Sequence, residues 1–450
     1  MHYRLNALAF GPIVHSVERE PIRDLATGEE LGSLGLVLAN RIEVDLLQRK
    51  LLRRARNLLL EIPIDDRIRM TVTAADYVEN GVLECGGVEQ SANDYNDIVS
   101  RTSGLPMRLA RENTSRLCAT MRNTGEVIDG LSCGLPRKIF DTGFGVYNGA
   151  NVRLVPRIEG LGCCMPNNSP GVHVTWAAVP AFGIPVLIRP GSAEPFTPYR
   201  MIQGLIKAGF PREAFGYYPS GHDGADIIPR LTKGAIVFGR DDTVEKWRNF
   251  PLVQAHGAGW SKLIIGEDMI DRWRELIPEI AKNVAANSGR SCFTVSLIIV
   301  PKYRDEIAAA LAEELAKIVP RPRLDPEATL SALATPAAGK GWNSVIDAGL
   351  SSGGSVDMSA KHRSGSRLVE VEGLTYMLPT VVTCNTREHV LANQEFMFPF
   401  TAVTQMSNQA ALDNLGPTLS LAVYTNDEGL KAKARWSKVS LLSFNVNTSQ

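Results

Sequence analysis

The 450 residues contain no CxxC pair and no histidine at zinc-finger spacing, which leaves no structural zinc site to expect and no metal to assign. Seven cysteines, an odd count for a disulfide framework, point to a reduced cytoplasmic compartment. Net charge is absent as well: 48 Lys+Arg offset 48 Asp+Glu, so no global field draws the chain to nucleic acid or to an anionic membrane. The longest apolar stretch, Val174 to Ile188, is interrupted by Pro180, Gly183 and Pro185 and falls short of the roughly 20 residues a spanning helix needs. The first 20 residues lack the basic-then-apolar order of a signal peptide. There is no internal repeat, no low-complexity tail and no GxGxxG. Gly339-Lys340 lacks the rest of a Walker loop and reads as plain loop.

What the chain does have is a globular balance, 44% hydrophobic and 21% charged, at a length that implies two or three domains. Ile42 to Leu60 reads as one amphipathic helix with its arginines on a solvated face. Helical patterns follow at 65–79 and across 93–133. An Asn-Gly turn at 148–149 inside alternating residues marks a hairpin over 138–158. From 158 onward strands alternate with helices, among them one expected at 171–182, and a second alternating block starts near Leu252. Such alternation means βαβ units and mostly parallel sheets, hence two α/β domains, the first of them Rossmann-like.

Four places carry potential chemistry. Cys292, at the join of a helix ending on Ser288-Gly289 and an apolar strand, has Arg290 beside it; a thiolate is favoured there, unless the thiol is simply a small buried hydrophobe. Asn168, in the turn Pro166-Asn-Asn-Ser-Pro170, either only turns the chain or donates to an oxyanion. His256, before Gly257, is a base or a structural ring. Gly239 ends a strand that enters a helix, but Asp241 and Asp242 would repel an anion there.

Taken in order, PNNSP, IRPGSAEPFTP, VFG, HGAGWSKLII, NSGRSC and QEFMFPF resemble the aldehyde dehydrogenase superfamily from Thr27 onward. The resemblance implies that Asn168 is the oxyanion amide of a Pro-Trp-Asn-x-Pro turn, with Asn167 in place of the Trp, and that Cys292 is the nucleophile of Gly-Gln-x-Cys, with Arg290 in place of the Gln. It implies that Glu395 holds the nicotinamide ribose, with Met397 and Phe398 replacing Phe-Gly, and that Arg189, Glu194 and the Gly239 turn hold the adenosine end. One departure matters: the Glu-Leu-Gly-Gly-Lys whose carboxylate activates water reads His256-Gly257-Ala258-Gly259-Trp260. In this the sequence is similar to the CoA-acylating, acyl-CoA reductase branch, where a thiol of pKa about 8.5 makes a water-activating base unnecessary.

The resemblance therefore implies an NAD- or NADP-binding region at 1–137 and 159–252, an oligomerisation hairpin at 138–158 together with 440–450, and a catalytic region at 253–439. It implies an NAD(P)-dependent oxidoreductase with a thioacyl-enzyme on Cys292, acting on an aldehyde or acyl thioester with CoA as a further co-substrate, and assembled as a homodimer. Two alternatives stay open: hydrolytic aldehyde oxidation with His256 as base, and a degenerate member with a binding role.

Overall fold

The computed structural model describes residues 2–446 and 448. It resolves into two compact units, one of residues 1–103 and 110–257, the other of 104–109 and 258–450.

The first unit is built on a seven-stranded sheet. Gly160–Cys164 lies near its centre, with Val186–Arg189 and Phe215–Tyr217 following on one side and Lys233–Phe238 and Val253–His256 on the other. These five strands are parallel and buried along much of their length, as expected for a sheet covered by helices on both faces. Ala7–Ala9 joins antiparallel to Phe215–Tyr217, and Ile13–Val14 pairs with Ala7–Ala9 to close that edge. The chain order reverses between Gly160–Cys164 and Lys233–Phe238. In open α/β sheets that switch point, at the carboxyl ends of the strands, is where ligands bind. Strand Val253–His256 therefore belongs to the first unit, because it pairs with Lys233–Phe238, and the boundary lies at 257/258 rather than 252/253.

The second unit carries another seven-stranded sheet, in the order Ser355–Asp357, Thr380–Cys384, Phe400–Gln405, Leu297–Val300, Lys262–Ile265, Ser420–Tyr424 and Leu441–Phe444. All neighbours are parallel except the first pair. Leu441–Phe444 was expected to accompany the hairpin; it instead completes this sheet by pairing with Ser420–Tyr424. Helices Trp273–Ala285 and Arg304–Leu315 cover one face, burying Ile277, Ile280, Ile307 and Leu311 against Leu263, Ile298 and Val403.

Several local expectations change for physical reasons. The single helix expected over 42–60 breaks at Lys50, whose φ is +52, giving Ala39–Glu43, a π-helical turn Val44–Gln48 and Leu51–Leu60. Its charges are not all solvated: Asp45 is fully buried, with Arg41 Nε at 2.9 Å and Arg49 at 3.1 Å, and it accepts from the Tyr218 hydroxyl at 3.0 Å. The helix expected at 171–182 fragments into short 3-10 and α turns around Pro180 and the left-handed Gly183. Gly339-Lys340 lies not in a loop but in helix Pro336–Ser351, where Gly339 has no room for a Cβ against Leu333 and Leu368. The hairpin pairs Phe144–Tyr147 with Ala150–Arg153 through left-handed Asn148 and Gly149, the turn that an Asn-Gly pair favours.

Candidate active site

Cys292 follows an unusual backbone. Helix Trp273–Ala285 ends, and Asn287, Ser288 and Gly289 then take φ of +49, +58 and +71 in succession. Non-glycine residues there cost of order 1–3 kcal/mol each and persist only where surroundings enforce them. The enforcement is visible: Ser288 Oγ accepts from Ser331 N–H at 2.7 Å, and the Gly289 Cα abuts the Phe398 carbonyl so closely that a Cβ would lie 2.2 Å from its carbon. The chain thus enters a turn, closed by Thr294 N–H to Ser291 O at 2.9 Å, that leaves Cys292 half-exposed. Five other cysteines are buried, and the remaining one, Cys133, is exposed.

Around Cys292 the second unit gathers Gly259, Trp260, Ser261, Lys262 and Glu395. Ser261 Oγ donates to the Cys292 carbonyl at 2.7 Å, and Gly259 packs on the same carbonyl with no space for a side chain. Trp260 is held left-handed, at φ +44, from both ends. Its N–H donates to Glu395 Oε2 at 2.7 Å, and its C=O accepts from Lys262 Nζ at 2.8 Å. Lys262 is 1% exposed and also donates to Pro417 O at 2.7 Å and Thr418 Oγ1 at 2.8 Å. Burial pulls its pKa down to about 7, while those three acceptors favour keeping the proton. Sequence reasoning gave Lys262 no role; the signal was a lone cation opening the apolar run KLII.

Burial pushes the Cys292 thiol up to about 11, with the Glu395 charge adding to the rise. The expected help from Arg290 is absent. Its guanidinium is buried and donates to the Ala332 carbonyl, and burial lowers its own pKa to about 10. Glu395 is half-buried and burial raises its carboxyl to about 7, against the opposing pull of the Gly259 and Trp260 N–H groups. Its Oε1 is enclosed and has no hydrogen-bond partner.

In the first unit, Asn168 and Gly239 both follow strands flanking the switch point, Gly160–Cys164 and Lys233–Phe238. The Asn168 side chain is half-buried, whereas Asn167 is tied down, its Oδ1 accepting from Ala193 N–H at 2.9 Å. Gly239 lies against Thr243 of the next helix, where a Cβ would come within 2.4 Å. Arg189 ends its strand and donates through Nε to Ser220 O at 3.0 Å. His256 stacks on Phe238 with ring centroids 4.8 Å apart; its Nε2 is enclosed without a partner, and burial lowers its pKa, which keeps the ring neutral at pH 7.

Glu194 requires a correction. It is 1% exposed, Oε1 accepts from Thr197 N–H at 2.9 Å in the first turn of helix Phe196–Lys207, and Oε2 lies 3.8 Å from His173 Nε2. A carboxylate spent on a helix terminus in the interior offers no oxygen to a ribose.

Comparison with known proteins agrees with this architecture. Residues 86–435 match the sequence profile of the aldehyde dehydrogenase family. A betaine aldehyde dehydrogenase of Cereibacter sphaeroides is 26% identical over 267 residues, 56% of this chain and 53% of that protein, so the match spans about half the length of that relative. A mutant indole-3-acetaldehyde dehydrogenase of P. syringae, solved with NAD+ and IAA, superposes with TM-score 0.83 at 17% identity, covering 99% of this chain and 89% of that one. The NADP-dependent glyceraldehyde-3-phosphate dehydrogenase of Bacillus halodurans C-125, solved with NADP, gives 0.79 at 17%, covering 99% and 91%. With most of its length matched by that profile and its two parallel-sheet units superposing on these structures, the chain belongs to the aldehyde dehydrogenase family.

Proposed function

We propose that the protein is an NAD(P)-dependent oxidoreductase working between the aldehyde and acyl oxidation levels through a thioacyl-enzyme on Cys292. The observation that carries this reading is the half-exposed thiol on a turn whose left-handed approach is enforced by Ser288, Gly289 and Ser331. Strain of that kind, held in place rather than relaxed, is characteristic of functional backbone. Asn168 has the role of amide donor to the developing oxyanion, together with the Cys292 N–H.

The residues present fit a dinucleotide. Gly239 lets the next helix close in on its strand end through Thr243, the Arg189 fork can donate to a ribose or a 2′-phosphate, and the unpartnered Glu395 Oε1 suits a ribose hydroxyl. When bound, the nicotinamide supplies the hydride acceptor or donor. The chain's own residues form and cleave the carbon–sulfur bond, steady the oxygen, and keep the thioacyl group in place.

The acylating direction is favoured over hydrolysis because the family's water-activating carboxylate is replaced by His256, a neutral ring stacked on Phe238. An acyl thioester exchanges onto Cys292, releasing the thiol of CoA, with no water to deprotonate. The exposed apolar hairpin, with Phe144 at 65% and Val146 at 59%, suits pairing with a second copy of the chain.

The test incubates the protein with a panel of aldehydes and acyl-CoAs with each cofactor, and follows NAD(P)H together with the mass of the Cys292 peptide. An acyl adduct on that peptide and CoA-dependent turnover are expected. Acid formation without CoA, lost in His256→Ala, would overturn the acylating reading in favour of hydrolysis; no adduct and no turnover would overturn the enzyme reading.

A further inference from the structure

The family's usual base is missing, yet a carboxylate is anchored to the same short segment as the Cys292 carbonyl. Glu395 and Cys292 are fastened to the same three residues of backbone: Glu395 by Oε2 to the Trp260 N–H at 2.7 Å, Cys292 by its carbonyl to Ser261 Oγ at 2.7 Å and to the bare Cα of Gly259. That leaves Glu395 Oε1 enclosed and unpartnered, on a carboxylate whose charge helps to raise the Cys292 thiol. An enclosed carboxylate oxygen without a donor is costly unless something visits it.

Resting on the Cys292 reading above, we propose that Glu395 is the proton acceptor for the Cys292 thiol, with Oε1 receiving the proton directly or across one water. The S–H bond breaks, its proton moves to Oε1, the sulfur electron pair forms the bond to the carbonyl carbon, and the carbonyl π pair moves onto oxygen. Each carboxylate oxygen has two lone pairs, so accepting a ribose hydroxyl leaves one for the thiol proton.

The other charged group facing Glu395 is Lys262, which Arg387 in turn opposes. A carboxyl titrating about 7 is matched to exchange protons at neutral pH, which a carboxyl at its ordinary value is not. His256, the alternative base, has its ring stacked on Phe238, and burial lowers its pKa.

The experiment measures iodoacetamide modification of Cys292 against pH by peptide mass spectrometry, with neither dinucleotide nor substrate, in the wild-type chain, E395Q, E395D and H256A. Reading the Cys292 peptide keeps exposed Cys133 from confusing the signal. Wild type should show a shoulder rising through about pH 7 before bulk thiolate takes over. E395Q should lose the shoulder and react about tenfold more slowly between pH 6.5 and 8, as expected for removal of a general base. E395D should recover part of it, and H256A should match wild type.

The opposite result is as clear. If Glu395 is only a neighbouring negative charge, E395Q makes the thiol more acidic and its modification faster at every pH, and the proposal fails while the Cys292 reading stands. If Cys292 in the wild-type chain resists modification even at pH 10, the nucleophile reading fails and the proposal with it.

Discussion

At the scale of single residues, the site is a place where backbone strain and side-chain burial are held together by a few contacts. Gly289 is among the tightest of them, left-handed and so near Phe398 that a Cβ would lie 2.2 Å from its carbonyl carbon. Gly289→Ala should lose about 2–4 kcal/mol of stability in urea unfolding, and its Cys292 should also lose its reactivity, because the turn cannot form unstrained. Glu395 makes a pH-dependent contribution whose sign follows from its raised carboxyl. The folded state holds the proton up to about pH 7, the unfolded chain only to about 4.5. Between those values the native state binds more protons, so stability falls as pH rises through that window. Glu395→Gln should flatten that decline in a series of melting curves from pH 4.5 to 7.5; an unchanged slope would show that the carboxyl titrates normally. The motifs nominated Cys292, Asn168 and Glu395, and the fold fastens the Cys292 carbonyl and the Glu395 carboxylate to the same 259–261 segment. The sequence could not show the empty Oε1, because that depends on how tightly the 259–262 strand entry packs on the cysteine turn.

At the scale of elements, the clearest lesson is helix Phe196–Lys207. A motif match put Glu194 at a ribose, whereas the fold uses it on an unpaired N–H of that helix. Glu194→Ala should lower stability by about 1–2 kcal/mol, as removal of a buried helix-terminus acceptor does, and leave dinucleotide affinity in a fluorescence titration unchanged. A drop of tenfold or more in affinity at intact stability would restore the ribose role. The alternation of strands and helices was legible because parallel strands are continuous apolar runs between glycine turns, such as AIVFG and KLII. The breaks were not. Lys50 turns left-handed in the middle of a helical pattern and splits it, a backbone choice that apolar periodicity does not encode, whereas Arg41, Asp45 and Arg49 before the break keep the i,i+4 spacing of a helix. Gly339 misled in the other direction, since a glycine chosen for close packing inside a helix looks like a loop residue in one dimension.

At the scale of the whole molecule, the exposed hairpin bears on assembly. Phe144→Glu with Val146→Glu replaces side chains that are mostly in solvent, so the fold should tolerate both, while light scattering should show the mass falling from dimer to monomer. A wild-type chain already monomeric at micromolar concentration would remove the pairing role from the hairpin. The first unit's sheet carries a further consequence, for synthesis. Ala7–Ala9 pairs at once with Ile13–Val14 on one edge, but its other edge finds its partner only in Phe215–Tyr217, about two hundred residues later in the chain. At a translation rate of about 5–20 residues per second, the opening strand leaves the ribosome roughly 10–40 seconds before that second edge can pair. For that interval the nascent hairpin carries one bare edge, and chaperone demand during expression should drop when residues 1–14 are moved behind the strand they join.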